Sequence, residues 1–300
     1  MRLYYVYLGF IASGYINLVG ASECFTLPFN IAVPLVNVCQ LLNRPPVLSY
    51  DGYALYNWYR IEPSGPIELG NIDTIQNFVH LYDEHWFILV HIEIEALAAQ
   101  AISAIAGVIE HFSNPIRLEQ DTKDVVNQAL DAIRCSMEAQ IKVLRRIPEK
   151  MSPELYFSDF RPYIRFFENV VYEGVKSEVL NYRGETGAQS SIMPTLVAFM
   201  KIPHTRNELV NHLSDMRKYM PRSHRQWLAK VEQLPDQKTW AEPQRFNAVL
   251  DTMAQFREIH YKWAEEYISS KVKDPRGTGG TPYIKWLKQL IDETLSYKMR

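Results

Sequence analysis

The stretch "WFILVHIEIEALAAQAISAIAGVIE", residues 86–110, decides the fold class. It contains no proline and a single glycine, Gly107, and its apolar residues fall on nearly every side. Nothing in it alternates as a half-buried strand would, so it reads as a helix sunk in a core. The remaining chain repeats the pattern. Residues 120–147 are amphipathic, and Ser152-Pro153 opens a helix with a capping residue and a proline at the first position. Further helices fit 189–201, 205–219, 221–233, 243–270 and 281–298. Strand-like alternation is nearly absent and hairpin dipeptides such as Asn-Gly are missing. The reading is an all-α chain forming one domain over residues 1–300.

Bulk composition narrows the function. The chain has 300 residues, 47% hydrophobic and 22% charged, as in ordinary globular proteins. A net charge of −2 gives no electrostatic reason to expect nucleic acid or an anionic membrane. The basic run "MRKYMPRSHR" reads as a helix–proline–helix corner rather than a nucleic-acid patch. Cys24, Cys39 and Cys135 are odd in number and show no paired spacing, which points to reduced thiols and a cytoplasmic protein rather than to disulfides or zinc. The opening "MRLYYVYLGFIASGYINLVG" looks like a signal peptide or anchor, but Ser13, Gly14 and Asn17 break the run. It is read as a buried core helix that begins abruptly, without a polar cap.

The glycine-rich "KDPRGTGGTPY", residues 273–283, invites a phosphate reading. It lies between two helices and has neither the lysine of a Walker loop nor the spacing of a dinucleotide fingerprint. A flexible turn or a seat for another small ion is then the better expectation.

Three residues sit where their chemistry is unexpected. In helix 243–270 the apolar positions Phe246, Val249, Met253, Phe256, Trp263 and Tyr267 leave a slot at His260. A histidine there faces the core. It is either a hydrogen-bonded core histidine or an axial haem ligand, since neutral imidazole suits iron and an aromatic wall suits a porphyrin. Arg257, one turn earlier, would then meet a propionate. His91 interrupts the 86–110 helix in the same way, with Glu95 four residues on as a partner or structural anchor. A carboxylate-bridged di-iron site would need paired Glu-x-x-His motifs, which do not occur, and there is no His-Glu-x-x-His zinc motif. Arg161, in "YFSDFRPYIRFF", shares a face with Phe157 and Ile164. A guanidinium in such surroundings needs a carboxylate from the protein or from a ligand. Pro162 directly after it implies a kink.

These residues fall in segments that resemble the indoleamine 2,3-dioxygenase family, haem enzymes that open the indole ring of tryptophan. The segments "LPFNIAVP", "PPVLSYDGYALYNW", "VYEG", "GAQSSIMP", "DMRKYMPRSHRQWL", "FREIHYKW" and "RGTGGT" occur in the family's order, from about residue 2 to the C-terminus. The resemblance implies an all-helical haem domain with haem b as cofactor. It makes His260 the proximal iron ligand and Arg257 a propionate partner. Arg161 would bind the substrate carboxylate, and Thr278, with Gly277 and Gly279, would close over the amino-acid zwitterion. Tyr50, Tyr53, Phe87 and Tyr156 would line the distal pocket, and Thr186 and Gly187 would be the small residues beside the iron.

Three departures accompany it. His91 stands where the mammalian enzymes have serine and resembles the distal histidine of tryptophan 2,3-dioxygenase and of bacterial relatives. Val197 replaces an aspartate of the mammalian proximal network, so that network must differ. The resemblance leads us to expect that the family's small N-terminal domain is missing.

The implied reaction is dioxygenation of L-tryptophan, or a related indole amino acid, to N-formylkynurenine with O2, the first step of the kynurenine pathway. His91 would accept a hydrogen bond from the indole N–H. The rival readings are oxygenation of a substituted tryptophan in a secondary-metabolite pathway, with insertion of one oxygen atom still open, a non-catalytic O2 carrier, and a helical interaction module without cofactor. A carrier has no use for a carboxylate clamp. Monomer and dimer remain equally open, and no nucleic-acid or membrane partner is expected.

Overall fold

The computed structural model describes residues 1–116, 118–205, 208–271 and 283–300. Helix α1 (Arg2–Ile16) buries Tyr5, Val6, Leu8, Phe10 and Ala12 while Tyr4, Tyr7, Ile11 and Tyr15 stay exposed. The expected core helix is therefore buried along one face only. Strand β1 (Thr26–Leu27) leads to α2 (Phe29–Leu42), which stops at Asn43 in the left-handed region with φ 55°. A π-helical turn (Asp51–Leu55) and the antiparallel pair β2 (Trp58–Arg60) and β3 (Ile72–Thr74) follow.

The apolar run at 86–110 forms two helices, α3 (Tyr82–Leu97) and α4 (Ala99–Ser113). They meet at Ala98, where neither proline nor glycine accounts for the break. By length and composition the stretch Tyr82–Ser113 could cross a membrane. Burial on nearly every side holds for α3 but not for α4, which buries Ala101, Ile105 and Val108. Helix α5 (Glu119–Leu144) begins with Glu119 and Asp121 and ends with Lys142, each charge opposing the helix dipole at its end.

At the expected Ser152-Pro153 start, Ser152 Oγ accepts from the Leu155 N–H at 3.4 Å. The helix it caps, α6 (Pro153–Leu155), is one turn long and passes into a π turn (Tyr156–Phe160) and a 3-10 turn (Arg161–Ile164). Pro162 cannot donate to a helical ladder, so the chain is already leaving helix where Arg161 sits. Strands β4 (Phe167–Tyr172) and β5 (Lys176–Tyr182) form an antiparallel hairpin, with β1 parallel to β4. The sequence reading missed this hairpin. Its register shifts near Val170 and Tyr172 disrupt the alternation, and it turns at Gly174 (φ 74°) in Glu-Gly-Val rather than at Asn-Gly.

The chain ends in α7 (Ile192–Met200), α8 (Glu208–Met216), α9 (Arg222–Glu232), α10 (Pro243–Tyr267) and α11 (Tyr283–Ser296). Between α8 and α9 a 3-10 turn (Arg217–Tyr219) and Pro221 make the expected corner. The largest core cluster draws Val90, Ile94, Ile133, Met137, Phe199 and Met253 from α3, α5, α7 and α10. Each such side chain contributes about 1.5–3 kcal/mol on burial. Helix α10 is registered on α5 by the Arg245–Asp131 pair and by Asn127, which donates to Trp240 O and accepts from Glu242 N.

Candidate active site

Beside the main core lies a cavity of about 800 Å³, walled mainly by α3, α7, α8, α10, α11 and the turn after β5, with Gln140 and Leu144 of α5. Helix α10 gives it Phe256, Arg257, His260, Trp263, Ala264 and Tyr267, spaced three or four apart as one helical face requires. His260 is deep in the protein, and burial, with the nearby His91 adding to it, lowers its pKa to about 4. Its side chain nevertheless keeps accessible surface, which faces the cavity, and its ring has no hydrogen bond among the described residues. At neutral pH this is an uncharged imidazole with a free nitrogen turned into an apolar chamber.

Arg257 is 6% exposed and also lines the cavity. It donates to Leu290 O at 2.8 Å and to Thr294 Oγ1, so α11 holds it rather than a carboxylate on α7. Val197, which lines the same cavity, offers no charge. Burial lowers the guanidinium pKa to about 10, which leaves it cationic at pH 7.

Across the cavity, α3 presents Phe87, His91, Ile94 and Glu95. His91 Nδ1–H donates to Phe87 O at 2.7 Å. A carbonyl can only accept, so Nδ1 carries the proton and Nε2 is left as an acceptor. Burial lowers the His91 pKa, keeping this ring neutral as well. Glu95 is not the partner of His91. It accepts from Tyr50 Oη at 2.9 Å and Ser190 Oγ at 2.6 Å, so it anchors two neighbouring segments. Rings crowd this side: Phe87 is 4.4 Å from His91 and 5.5 Å from Tyr156.

Tyr50 is placed from below by a buried ion pair. Arg44 contacts Asp51, Ser49 Oγ and Tyr219 O, and its guanidinium lies 4.0 Å from the centre of the Tyr5 ring. The turn after β5 is fixed by Gln189, which accepts from Tyr50 N at 2.9 Å and donates to Gly184 O at 2.8 Å. Thr186 caps the 3-10 turn Gly187–Gln189. A Cβ on Gly187 would meet nothing within 4 Å, so a larger side chain there would occupy the cavity and not the core.

Tyr50, Phe87, His91, Tyr156, Thr186, Gly187, Arg257 and His260 thus converge on one chamber. Tyr53 does not reach it. It stands one layer behind, its ring 6.3 Å from Phe87 and its hydroxyl donating to Glu84 at 3.1 Å. Nor is Arg161 on the cavity wall: it opens the 3-10 turn Arg161–Ile164, and its guanidinium lies over the Phe157 ring, at 5.5 Å. Gly277, Thr278 and Gly279 lie outside the described residues. The sequence reading overlooked Glu185, Gln140 and His212, all on the wall. Glu185 had a visible signal, a carboxylate in "RGETG" next to Thr186-Gly187. Gln140 and His212 had none, being single polar residues on amphipathic helices.

The residues present fit a haem. Among the described residues no group of three or more His, Cys, Asp or Glu gathers to hold a metal, so an iron here would have one protein ligand and need a macrocycle for the rest. His260 could serve as that ligand, Arg257 is a buried cation able to meet a propionate, and Gly187 leaves open space. Trp263 Nε1 and Gln140 Oε1 are buried in the wall without partners among the described residues, the mark of a chamber built around a guest.

Known proteins resemble this chain along nearly its whole length. The family model described as Indoleamine 2,3-dioxygenase matches residues 1–297. The chain is similar to Indoleamine 2,3-dioxygenase 2 of Homo sapiens, 28% identical over 98% of this chain and 78% of the relative. It is 26% identical to Indoleamine 2,3-dioxygenase of Saccharomyces cerevisiae, over 99% and 78%. A protein named Myoglobin from Haliotis madaka is 26% identical over 98% and 80%.

Proposed function

This chain belongs to the indoleamine 2,3-dioxygenase family, and from that premise we propose that it is a haem-dependent oxidoreductase acting on L-tryptophan or a closely related indole amino acid. Both atoms of O2 enter the product, the indole C2–C3 bond breaks, and N-formylkynurenine results. The observation that carries this reading is the neutral, cavity-facing ring of His260, which has no partner among the described residues.

His260 would hold the iron of haem b and Arg257 a propionate, with Thr186 and Gly187 leaving room beside the iron. When bound, the haem supplies the oxygen chemistry. The chain does the rest. Phe87, Tyr50 and Tyr156 exclude water and stack on the indole. His91 Nε2, whose acceptor state is set by the Nδ1–H···Phe87 bond, receives the indole N–H. No base is required of it, because the bond orients the ring rather than removing a proton. Arg161 and Thr278 clamp the amino-acid carboxylate and ammonium, which requires Arg161 to turn from Phe157 toward the cavity. Orientation of this kind is worth up to roughly 7–11 kcal/mol in well-aligned systems. Reduced thiols are consistent with a cytoplasmic location.

The similarity to a protein named Myoglobin gives the O2-carrier reading a specific basis. One experiment separates the two. The haem-loaded protein is reduced without oxygen, mixed with L-tryptophan and exposed to air while N-formylkynurenine absorbance is followed. Product formation is expected; reversible oxygen binding without product would replace the dioxygenase by a carrier.

A further inference from the structure

His212, on α8, has no part in the function proposed above, yet it lines the chamber and lies against α11, its ring 5.2 Å from that of Trp286. Nδ1 is sealed from solvent and bonds to nothing among the described residues. Nε2 is not sealed, and it too has no hydrogen bond among them. A sealed lone pair is tolerated more readily than a sealed N–H, so the proton belongs on Nε2. Burial and then Arg183, against the pull of Asp215, lower the His212 pKa to about 4, which keeps the ring neutral. His212 therefore brings one unspent N–H to the cavity wall.

Among the described residues, the carboxylates around it are engaged elsewhere. Asp215, on the same helix, pairs with Lys218 at 2.6 Å and with Arg183 at 3.4 Å. Glu293, on α11, accepts from His204 at 2.6 Å, from Gln289 at 2.7 Å and from Thr205 N at 3.2 Å. Glu232 pairs with Arg217 at 2.7 Å. Helix α11 also relates His212 to Arg257. Trp286 and Leu290 are four residues apart, one turn along the same face, and Leu290 O accepts from Arg257 at 2.8 Å. A neutral donor and a cationic one are thus set against consecutive turns of one helix. Haem b carries its two propionates on neighbouring rings at one edge, so its second carboxylate falls close to its first.

Resting on the haem reading above, we infer that His212 is a binding residue for the second haem propionate, donating Nε2–H to it while Arg257 holds the first. The substrate carboxylate is an acceptor of the same chemistry, and the test separates the two.

Haem loss is followed at the Soret band as the holoprotein gives up its haem to an excess of an apoglobin. Wild type is compared with His212→Phe, which keeps a ring against Trp286 but no donor, and with His212→Gln, which restores a donor. Each is loaded with haem b or with its dimethyl ester, whose carboxylates are masked. His212→Phe should lose haem b about tenfold faster than wild type, and His212→Gln at close to the wild-type rate. The ester should leave all three equally fast. Equal loss of haem b from wild type and His212→Phe would overturn the assignment. An acceleration that persists with the ester would also overturn it, by reducing His212 to packing. So would a His212→Phe protein that keeps haem b normally but loses about tenfold in affinity for L-tryptophan relative to tryptamine, which would move the bond to the substrate carboxylate. A wild type that takes up no haem would instead sink the haem reading on which the inference rests.

Discussion

His91 and His260 face one cavity from two helices, and their situations are opposite. His91 is tethered by its own helix: Nδ1–H is spent on Phe87 O, and one nitrogen remains as a fixed acceptor. His260 has no partner among the described residues and keeps accessible surface toward the chamber. Both are neutral because burial disfavours the imidazolium. The difference teaches that neutrality alone does not assign a role. An oriented, half-used ring suits reading a substrate N–H, whereas an unspent ring suits a metal.

The sharpest way to break this comparison is to remove each ring in turn. His260→Ala should abolish stable haem uptake, seen as loss of the Soret band, and all activity with it. His91→Ala should keep the haem and lower kcat/KM by about tenfold, the worth of one hydrogen bond to the substrate. Equal loss of haem in both variants would erase the distinction.

The two arginines form a parallel pair with a smaller expected effect. Arg257 is on the wall and bonded to α11, while Arg161 lies over Phe157, off the wall. Arg161→Ala should lower kcat/KM by about a hundredfold, as loss of a charged bidentate contact would, and leave the haem spectrum intact. An Arg161→Ala enzyme with full turnover would remove Arg161 from the clamp.

The smallest effect is on stability. Glu84 and Glu185 are held protonated by burial to about pH 7 and 8, above the ordinary glutamate value. Over the range in which the unfolded chain has already lost these protons, the folded chain still keeps them, so stability falls as pH rises toward 8. His260 and His212, lowered to about 4, act in the other direction, and only below the ordinary histidine value near 6.5. Between about pH 6.5 and 8 the carboxyls therefore act alone. Thermal unfolding of the purified chain should show a midpoint that falls across this window, with Glu185→Gln flattening the slope by about 1 kcal/mol. A midpoint rising with pH there would contradict the assignment of neutral carboxyls.

Much of this was legible beforehand because it is local. Apolar residues every three or four positions gave α5 and α10, and the gap in that rhythm at 260 marked His260. Ser152-Pro153 marked the start of α6, though not the π and 3-10 turns that replace its continuation. The β4–β5 hairpin stayed hidden because its bulges spoil the period and its turn lacks the usual dipeptide. Glu185 was passed over because one acid in a turn looks solvated until the fold closes around it.

The sequence by itself therefore determined an all-α scaffold, the face on which His260 sits and the family's ordered motifs, since periodicity and spacing are properties of neighbours along the chain. Only the tertiary structure decided which nitrogen of His91 is free, that Tyr53 and Arg161 stand back from the chamber, and that Glu185 enters it. The His91 and Arg161 contacts are four residues apart in the chain, but whether such a group faces the chamber depends on distant segments meeting, as Tyr50 and Gln189 do, and burial there then sets the charge.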